Sequence, residues 1–277
     1  MKKKRILVPI DFSGDSINAL EQAIFYANSL QTKLRMIHVH AAKNFEVPFS
    51  LPEYDKKHHK TPKDFCEILM RKYQGAVEGE FDYVVREGKI YREIANQAKY
   101  NDAYMIVMGT HGASGFEEFF IGSNSFKVVT NAPCPVLTIR HGFTRRELKT
   151  IVMPIDETPE TKKKVNFVTH LAQLFTAKIH VLGVRQSDDR EIIVRIERNV
   201  KQVANFINSK KVKHGVEFLS GTNLTTMTID YASQQAADLI AIMPEQPSSM
   251  RNFWMGAYAQ QMVNHSPIPV LTIREND

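Results

Sequence analysis

Cysteine is nearly missing from this chain: 277 residues contain two, Cys66 and Cys134. Two isolated thiols build neither a disulfide framework nor a metal site of the usual multi-cysteine spacing. Such sparing use suits a reducing compartment. Long apolar runs are missing too, and nothing approaches the roughly 18–20 consecutive apolar residues of a membrane-spanning helix. The basic residues at the start are followed by an apolar run, residues 6–10, that stops at Asp11 and is too short for a secretory signal. Charge of one sign is not concentrated anywhere: the net +6 is shared evenly by the two halves. The basic clusters at residues 2–5, 162–164 and 210–211 read as solvated surface, not as a track for a nucleic-acid backbone. A lysine-bearing phosphate loop, Gly-x4-Gly-Lys-Ser/Thr, does not occur. These absences point to a cytosolic protein with no nucleic-acid and no membrane partner.

What is present is a glycine-rich stretch placed after an apolar strand. Residues 103–108 read as a buried parallel strand. They are followed by Gly109, Thr110, His111, Gly112, Ala113, Ser114 and Gly115, then by Phe116 to Ile121, then by Gly122, Ser123, Asn124 and Ser125 at the start of a helix predicted over 123–131. Glycine lets backbone turn tightly and approach a ligand closely. The free amides of a helix's first turn, helped by the helix dipole, favour an anion. The layout therefore suits phosphate.

Around it strands and helices alternate. Residues 4–11 form a strand ending in turn chemistry, and Ser13 can cap the helix that follows. Strands are expected at 34–40, 81–86 and 135–140, with helices from Pro62 and over 91–100; residues 41–61 read as a loop. The second half repeats the first. Ile151-Val152-Met153-Pro154-Ile155-Asp156 matches Ile6-Leu7-Val8-Pro9-Ile10-Asp11, and the closing Pro-Val-Leu-Thr-Ile-Arg stands at both 135–140 and 269–274. Thr158-Pro159 offers a helix start where Ser13 stood, and residues 238–243 match 103–108. The boundary falls within 141–149, giving domains 1–142 and 148–277. Alternating strands and helices imply a parallel sheet covered on both faces, with ligands beyond the carboxyl ends of the strands, where the order reverses.

Pro9-x-Asp11, His38-Val39, the Gly109/Gly112/Gly122-Ser123 pattern and the closing strand together resemble the universal stress protein family, in two tandem copies. The resemblance implies Rossmann-like domains of the adenine nucleotide alpha hydrolase type, each a five-stranded parallel sheet of order 3-2-1-4-5. It further implies ATP bound in the first copy, with Mg2+ on the phosphates and no dedicated protein metal site. Pro9 and Asp11 would line the adenosine end and the Val39 backbone would read the adenine edge. Gly109 to Gly115 would wrap ribose and phosphates, and Gly122 to Ser125 would donate to the phosphates. The last strands, from Val136 to Arg140 and from Val270 to Arg274, would pair as an intrachain pseudo-dimer, presented to an unknown protein partner.

The second copy departs from the pattern. It reads Met243-Pro244-Glu245-Gln246-Pro247 and then Gly256-Ala257, so both glycines align with prolines, which lack amide donors. One nucleotide per chain is the expectation, with Trp254 and Met255 filling the second space. Several single residues have plainer readings. Asp11 recurs as Asp156 and has a structural share as a strand-end carboxylate. His38 and His40 point the same way along a strand, but no third metal ligand is apparent. His111 either touches phosphate or faces solvent, and Lys127 is a candidate source of charge. Ser13-Gly14-Asp15-Ser16 is explained by helix capping better than by a pyrophosphatase loop. No positioned base or phosphate-clamping arginine pair stands out, so the enzymatic alternative is a slow ATPase. The third reading is a nucleotide-free scaffold.

Overall fold

The computed structural model describes residues 4–40, 61–110, 121–244 and 256–274. The expectations placed on His111, Gly112, Ala113, Ser114, Gly115, Glu245, Pro247, Trp254 and Met255 lie outside the described residues. The chain divides into two units, Met1–Thr144 and Arg145–Asp277. Among the described residues no helix is long and apolar enough to cross a membrane.

The first unit runs β1 (Arg5–Pro9), α1 (Gly14–Leu30), β2 (Lys33–His40), α2 (Pro62–Tyr73), β3 (Phe81–Glu87), α3 (Ile90–Tyr100), β4 (Ala103–Gly109), α4 (Ser123–Asn131) and β5 (Val136–Ile139). Its strands lie in the order β3-β2-β1-β4-β5, and every pair is parallel. Ile6, Leu7 and Val8 are all buried because a central parallel strand is covered on both faces. Leu20, Ala23 and Ala27 of α1 recur at helical spacing and are buried with them. Ser13 caps α1 as expected, its hydroxyl accepting from the Ser16 amide at 3.2 Å. Thr61 and Asp64 form a reciprocal capping box at the start of α2, with Pro62 just inside.

The second unit runs β6 (Thr150–Ile155), α5 (Val165–Phe175), β7 (Lys178–Arg185), α6 (Arg190–Ser209), β8 (His214–Ser220), α7 (Leu224–Gln234), β9 (Leu239–Ile242), α8 (Ala257–His265) and β10 (Val270–Thr272). The order is β8-β7-β6-β9-β10, again parallel throughout. The repeat seen in the sequence is therefore a repeat of topology. The buried carboxylate of Asp238 fixes the entry to this unit: it accepts from Arg145 Nη1 at 2.7 Å and from the amides of Lys149 and Thr150 at 2.7 and 3.0 Å.

Two details differ from the pattern of the sequence. Thr158 does not start the helix after β6. Residues Glu160–Lys162 wind as a 3-10 turn without a side-chain cap, and α5 begins only at Val165. The pairing register also shifts the alignment of the repeat by one residue. Ile106 pairs with Val136 and Gly109 with Ile139 in the first unit, whereas Ile240 pairs with Val270 and Ile242 with Thr272 in the second. Met243, not Pro244, thus occupies the place of Gly109, and Pro244 that of Thr110. The Thr110 amide donates to the Ile139 carbonyl at 3.1 Å; Pro244 has no amide hydrogen to do the same.

Candidate functional site

β1 lies between β2 and β4, so the strand order reverses there and a crevice opens beyond the carboxyl ends. A cavity of about 320 Å³ occupies it. Pro9, Ile10 and Asp11 line it from the end of β1, and Ile37 and Val39 from β2. Met108 and Gly109 close it at the end of β4, Ile90 and Ile94 from α3, and Gly122, Ser123, Asn124 and Ser125 at the start of α4. Residues separated by more than a hundred positions meet there, and the described residues named from the sequence, Thr110 apart, all line one space.

Each group has a physical reason to be where it is. Asp11 Oδ1 accepts from the amide and hydroxyl of Ser13 at 3.0 and 2.6 Å. Asp156 does the same with Thr158 at 2.7 and 2.5 Å, so this carboxylate builds the turn in both units. Between Asp11 and Ser13 the chain passes through Phe12 at φ 66°, a left-handed conformation that a bulky side chain adopts at a cost of about 1–3 kcal/mol. Its ring compensates by full burial against His38 and Phe65, at centroid distances of 4.7 and 5.4 Å. His38 Nδ1 lies 2.8 Å from the Ile10 carbonyl, which fixes the proton on that nitrogen. Burial pushes its pKa below the usual 6.5, against the pull of that carbonyl, and keeps the ring neutral. His38 thus supports the turn from beneath; it is not a ligand group.

Val39 follows the same alternation as Ile37, whose carbonyl accepts from the Ile10 amide at 2.8 Å. β1 ends at Pro9, so the Val39 amide and carbonyl face the cavity on the side where no strand continues. That leaves a donor and an acceptor side by side, the pair needed to read the edge of a planar base.

Gly109 and Gly122 are glycines for different reasons. A Cβ on Gly109 would stand 3.0 Å from Asp15 Cβ and 3.1 Å from its carbonyl carbon and oxygen. Gly109 is therefore required by the close approach of α1. Gly122 sits at φ −56°, open to any residue, and a Cβ there would meet only the Thr110 carbonyl oxygen at 3.5 Å and Ser125 Oγ at 3.9 Å. Among the described residues nothing crowds this position, and it lines the cavity. The first turn of α4 has no side-chain cap, so its leading amides are left to an anion.

Thr110 and Ser125 act as ties. The Thr110 carbonyl accepts from the Gly122 amide at 2.9 Å, and the buried Ser125 hydroxyl donates to the Gly109 carbonyl at 3.2 Å. Ser123 and Asn124 are exposed. Lys127 lies over the Tyr91 ring, 5.8 Å from its centroid, and is not part of the lining. Sequence reasoning missed the apolar walls Ile37, Ile90 and Ile94, which carry no signal distinct from core residues. It also missed Asp15, whose carboxylate accepts from His141 Nδ1 at 2.6 Å and packs on Gly109. Both cysteines are buried free thiols pushed up to about 12 by burial, so neither is a nucleophile. Among the described residues no cluster of three or more potential metal ligands occurs.

A cavity of similar size, about 330 Å³, lies at the corresponding strand ends of the second unit. Its lining includes Met243, Lys164 and Tyr258, where the first unit has Gly109, Ala19 and Asn124.

Fold and cavity together define a doubly wound parallel α/β domain with a ligand crevice at its switch point, present twice. The chain belongs to the universal stress protein family, whose sequence model matches residues 3–140 and again 147–274. It is 32% identical over 147 residues to the universal stress protein YxiE of Bacillus subtilis (strain 168), covering 49% of this chain and 98% of that protein. Among solved structures it resembles a universal stress protein from Archaeoglobus fulgidus DSM 4304, with a TM-score of 0.73 at 17% identity, over 99% of this chain and 97% of the other. A functionally unknown protein from Pseudomonas aeruginosa PAO1 is similar at a TM-score of 0.71 and 14% identity, over 99% and 94%. At these identities the likeness concerns the fold alone.

Proposed function

We propose that the first unit binds ATP as its Mg2+ complex, one nucleotide per chain, and that the protein is a regulatory or sensing module in the stress response. The observation that carries this reading is Gly122. It is a glycine that no backbone strain and no close contact among the described residues requires, standing at the uncapped start of a helix and lining a cavity. The residues present fit the ligand. The leading amides of α4 donate to phosphate oxygens, and Mg2+ supplies neutralisation of their charge. The Val39 amide and carbonyl pair with a base edge between the apolar walls of Ile37, Ile90 and Ile94. Asp11, already fixed by Ser13, offers its carboxylate as acceptor at the strand end.

Hydrolysis has no support in the described lining, where Asp11 is the one charged side chain and no cation clamps a leaving group. The reading is accordingly a module that responds to nucleotide. Calorimetric titration with ATP and Mg2+ tests the reading, with an expected stoichiometry of one per chain. No heat at millimolar ATP would leave the scaffold reading in its place, and two sites per chain would remove the distinction between the units.

A further inference from the structure

The cavity of the second unit contains an ion that has no counterpart in the first. Lys164 is 2% exposed, and its ammonium donates to the carbonyl oxygen of Thr161 at 2.8 Å and to its hydroxyl at 3.1 Å. Both acceptors are neutral. Among the described residues no carboxylate is in ion-pair contact with it; Asp156 acts only through space. A charge removed from water is normally matched by an opposite charge in contact. Lys164 is at the same time part of the cavity lining.

Tyr258, in the first turn of α8, lines the same cavity. The remaining walls include the apolar side chains of Val184, Ile192, Leu224 and Ile242. The other charged groups of the lining are Asp156 and Glu157 after β6 and Arg185 at the end of β7. Asp156 Oδ1 is held by Thr158, and Arg185 Nη1 is turned to Asp188 at 2.7 Å. Lys162, from the preceding turn, donates to Gln202 at 2.9 Å.

We propose that this cavity is a binding site for a small amphipathic anion, one carboxylate or phosphate on a compact apolar body, with its charge held by Lys164. It is not a second copy of the nucleotide site. Met243 stands where the first unit has Gly109, and the anion is met by a side-chain cation. Burial holds the Lys164 ammonium down at about 8, with Asp156 pulling the other way. An anion in contact raises that value, because an opposite charge at this range moves a neighbour's pKa by ~1–3 units.

The test follows the Lys164 ε-carbon by NMR in the full chain labelled at lysine, the resonance being identified by its loss in Lys164→Met or Lys164→Gln. Its titration midpoint is measured alone and with hexanoate, inorganic phosphate, hexanol or Mg-ATP. Hexanoate or phosphate is expected to raise the midpoint from about 8 to about 9 or above, and whichever acts more strongly identifies the head group. Hexanol and Mg-ATP are expected to leave it in place. The proposal is overturned if neither anion moves the midpoint, if hexanol moves it as far as hexanoate, or if Mg-ATP moves it instead. Because the readout sits on Lys164, absence of ATP binding in the first unit would leave this result intact.

Discussion

At the end of β4 stands Gly109, and at the corresponding end of β9 stands Met243. In the first unit the missing side chain lets Asp15 come within 3.0 Å of where a Cβ would be, and α1 starts at Gly14 and runs unbroken for 17 residues. In the second, Met243 stands at that position and lines the cavity. The chain after Asp156 winds as a 3-10 turn, and α5 starts only at Val165. Delaying the helix leaves Lys164 at its threshold, buried beside the cavity, at the place Ala19 holds in the first unit. The two units thus differ together at this strand end, in where the next helix starts and in the cation beside the cavity. Gly109 is pressed by Asp15 as well as lining the cavity, whereas among the described residues nothing crowds Gly122.

The largest expected effect breaks this comparison directly. Gly109→Val should destabilise the first unit by about 3 kcal/mol, since the added carbons meet the Asp15 backbone and not a flexible tip. Urea unfolding monitored for each unit separately is the measurement, because a chain of two units need not unfold in one step. An unchanged midpoint would mean that α1 moves aside without cost.

Lys164→Met should act in the opposite sense, stabilising the second unit by about 2 kcal/mol at pH 7. A lysine whose folded pKa is lowered contributes its full stability only above the unfolded value near 10.5 and loses it as pH falls through about 8. The gain from the variant should therefore be greatest below pH 8 and shrink as the pH rises towards 10.5. A gain that grew with pH would contradict the buried charge.

Gly122→Asp sharpens the contrast within the first unit. An aspartate at this cap position can accept from the leading amides of α4, adding roughly a few tenths of a kcal/mol of stability over glycine. The same carboxylate displaces phosphate, so ATP affinity should fall at least about tenfold, or ~1.4 kcal/mol. Calorimetry and thermal unfolding on one preparation give both signs. Parallel losses of stability and affinity would return Gly122 to a packing role.

The smallest effect is one the two units share. His38 and His180 are both held below their ordinary pKa by burial, so the unfolded chain takes up their protons first. Their contribution to stability is complete above about pH 6.5 and declines as pH falls below it. His38→Asn and His180→Asn should each flatten the decline of the urea midpoint between pH 7 and 5, which equilibrium unfolding at fixed pH values would record.

Much of the first site was legible. The helix start at Ser123 is where the glycine-serine pattern put it, and Pro9, Asp11, Val39 and Gly109 meet it across one cavity. These residues carry a local signature, a turn carboxylate or a glycine, that stands out against apolar strands. Ile90 and Ile94 do not, because an apolar residue facing a ligand looks like one facing the core. Lys164 was read as part of a solvated cluster. Its neighbours Lys162 and Lys163 are outside the core, whereas Lys164 is buried, and three consecutive lysines give no hint of which one turns inward.

The sequence by itself determined the alternation of strand and helix, the duplication, and the helix terminus beside the cavity. Each depends on residues close together along the chain, where periodicity and capping chemistry act. Tertiary structure alone decided that Gly109 faces Asp15, that Met243 and not Pro244 takes its place in the second unit, and that Lys164 lies at a cavity wall. Those outcomes rest on strand register and on contacts between distant segments. A shift of one residue in register exchanges one side chain for another at the strand end, and no local pattern fixes it.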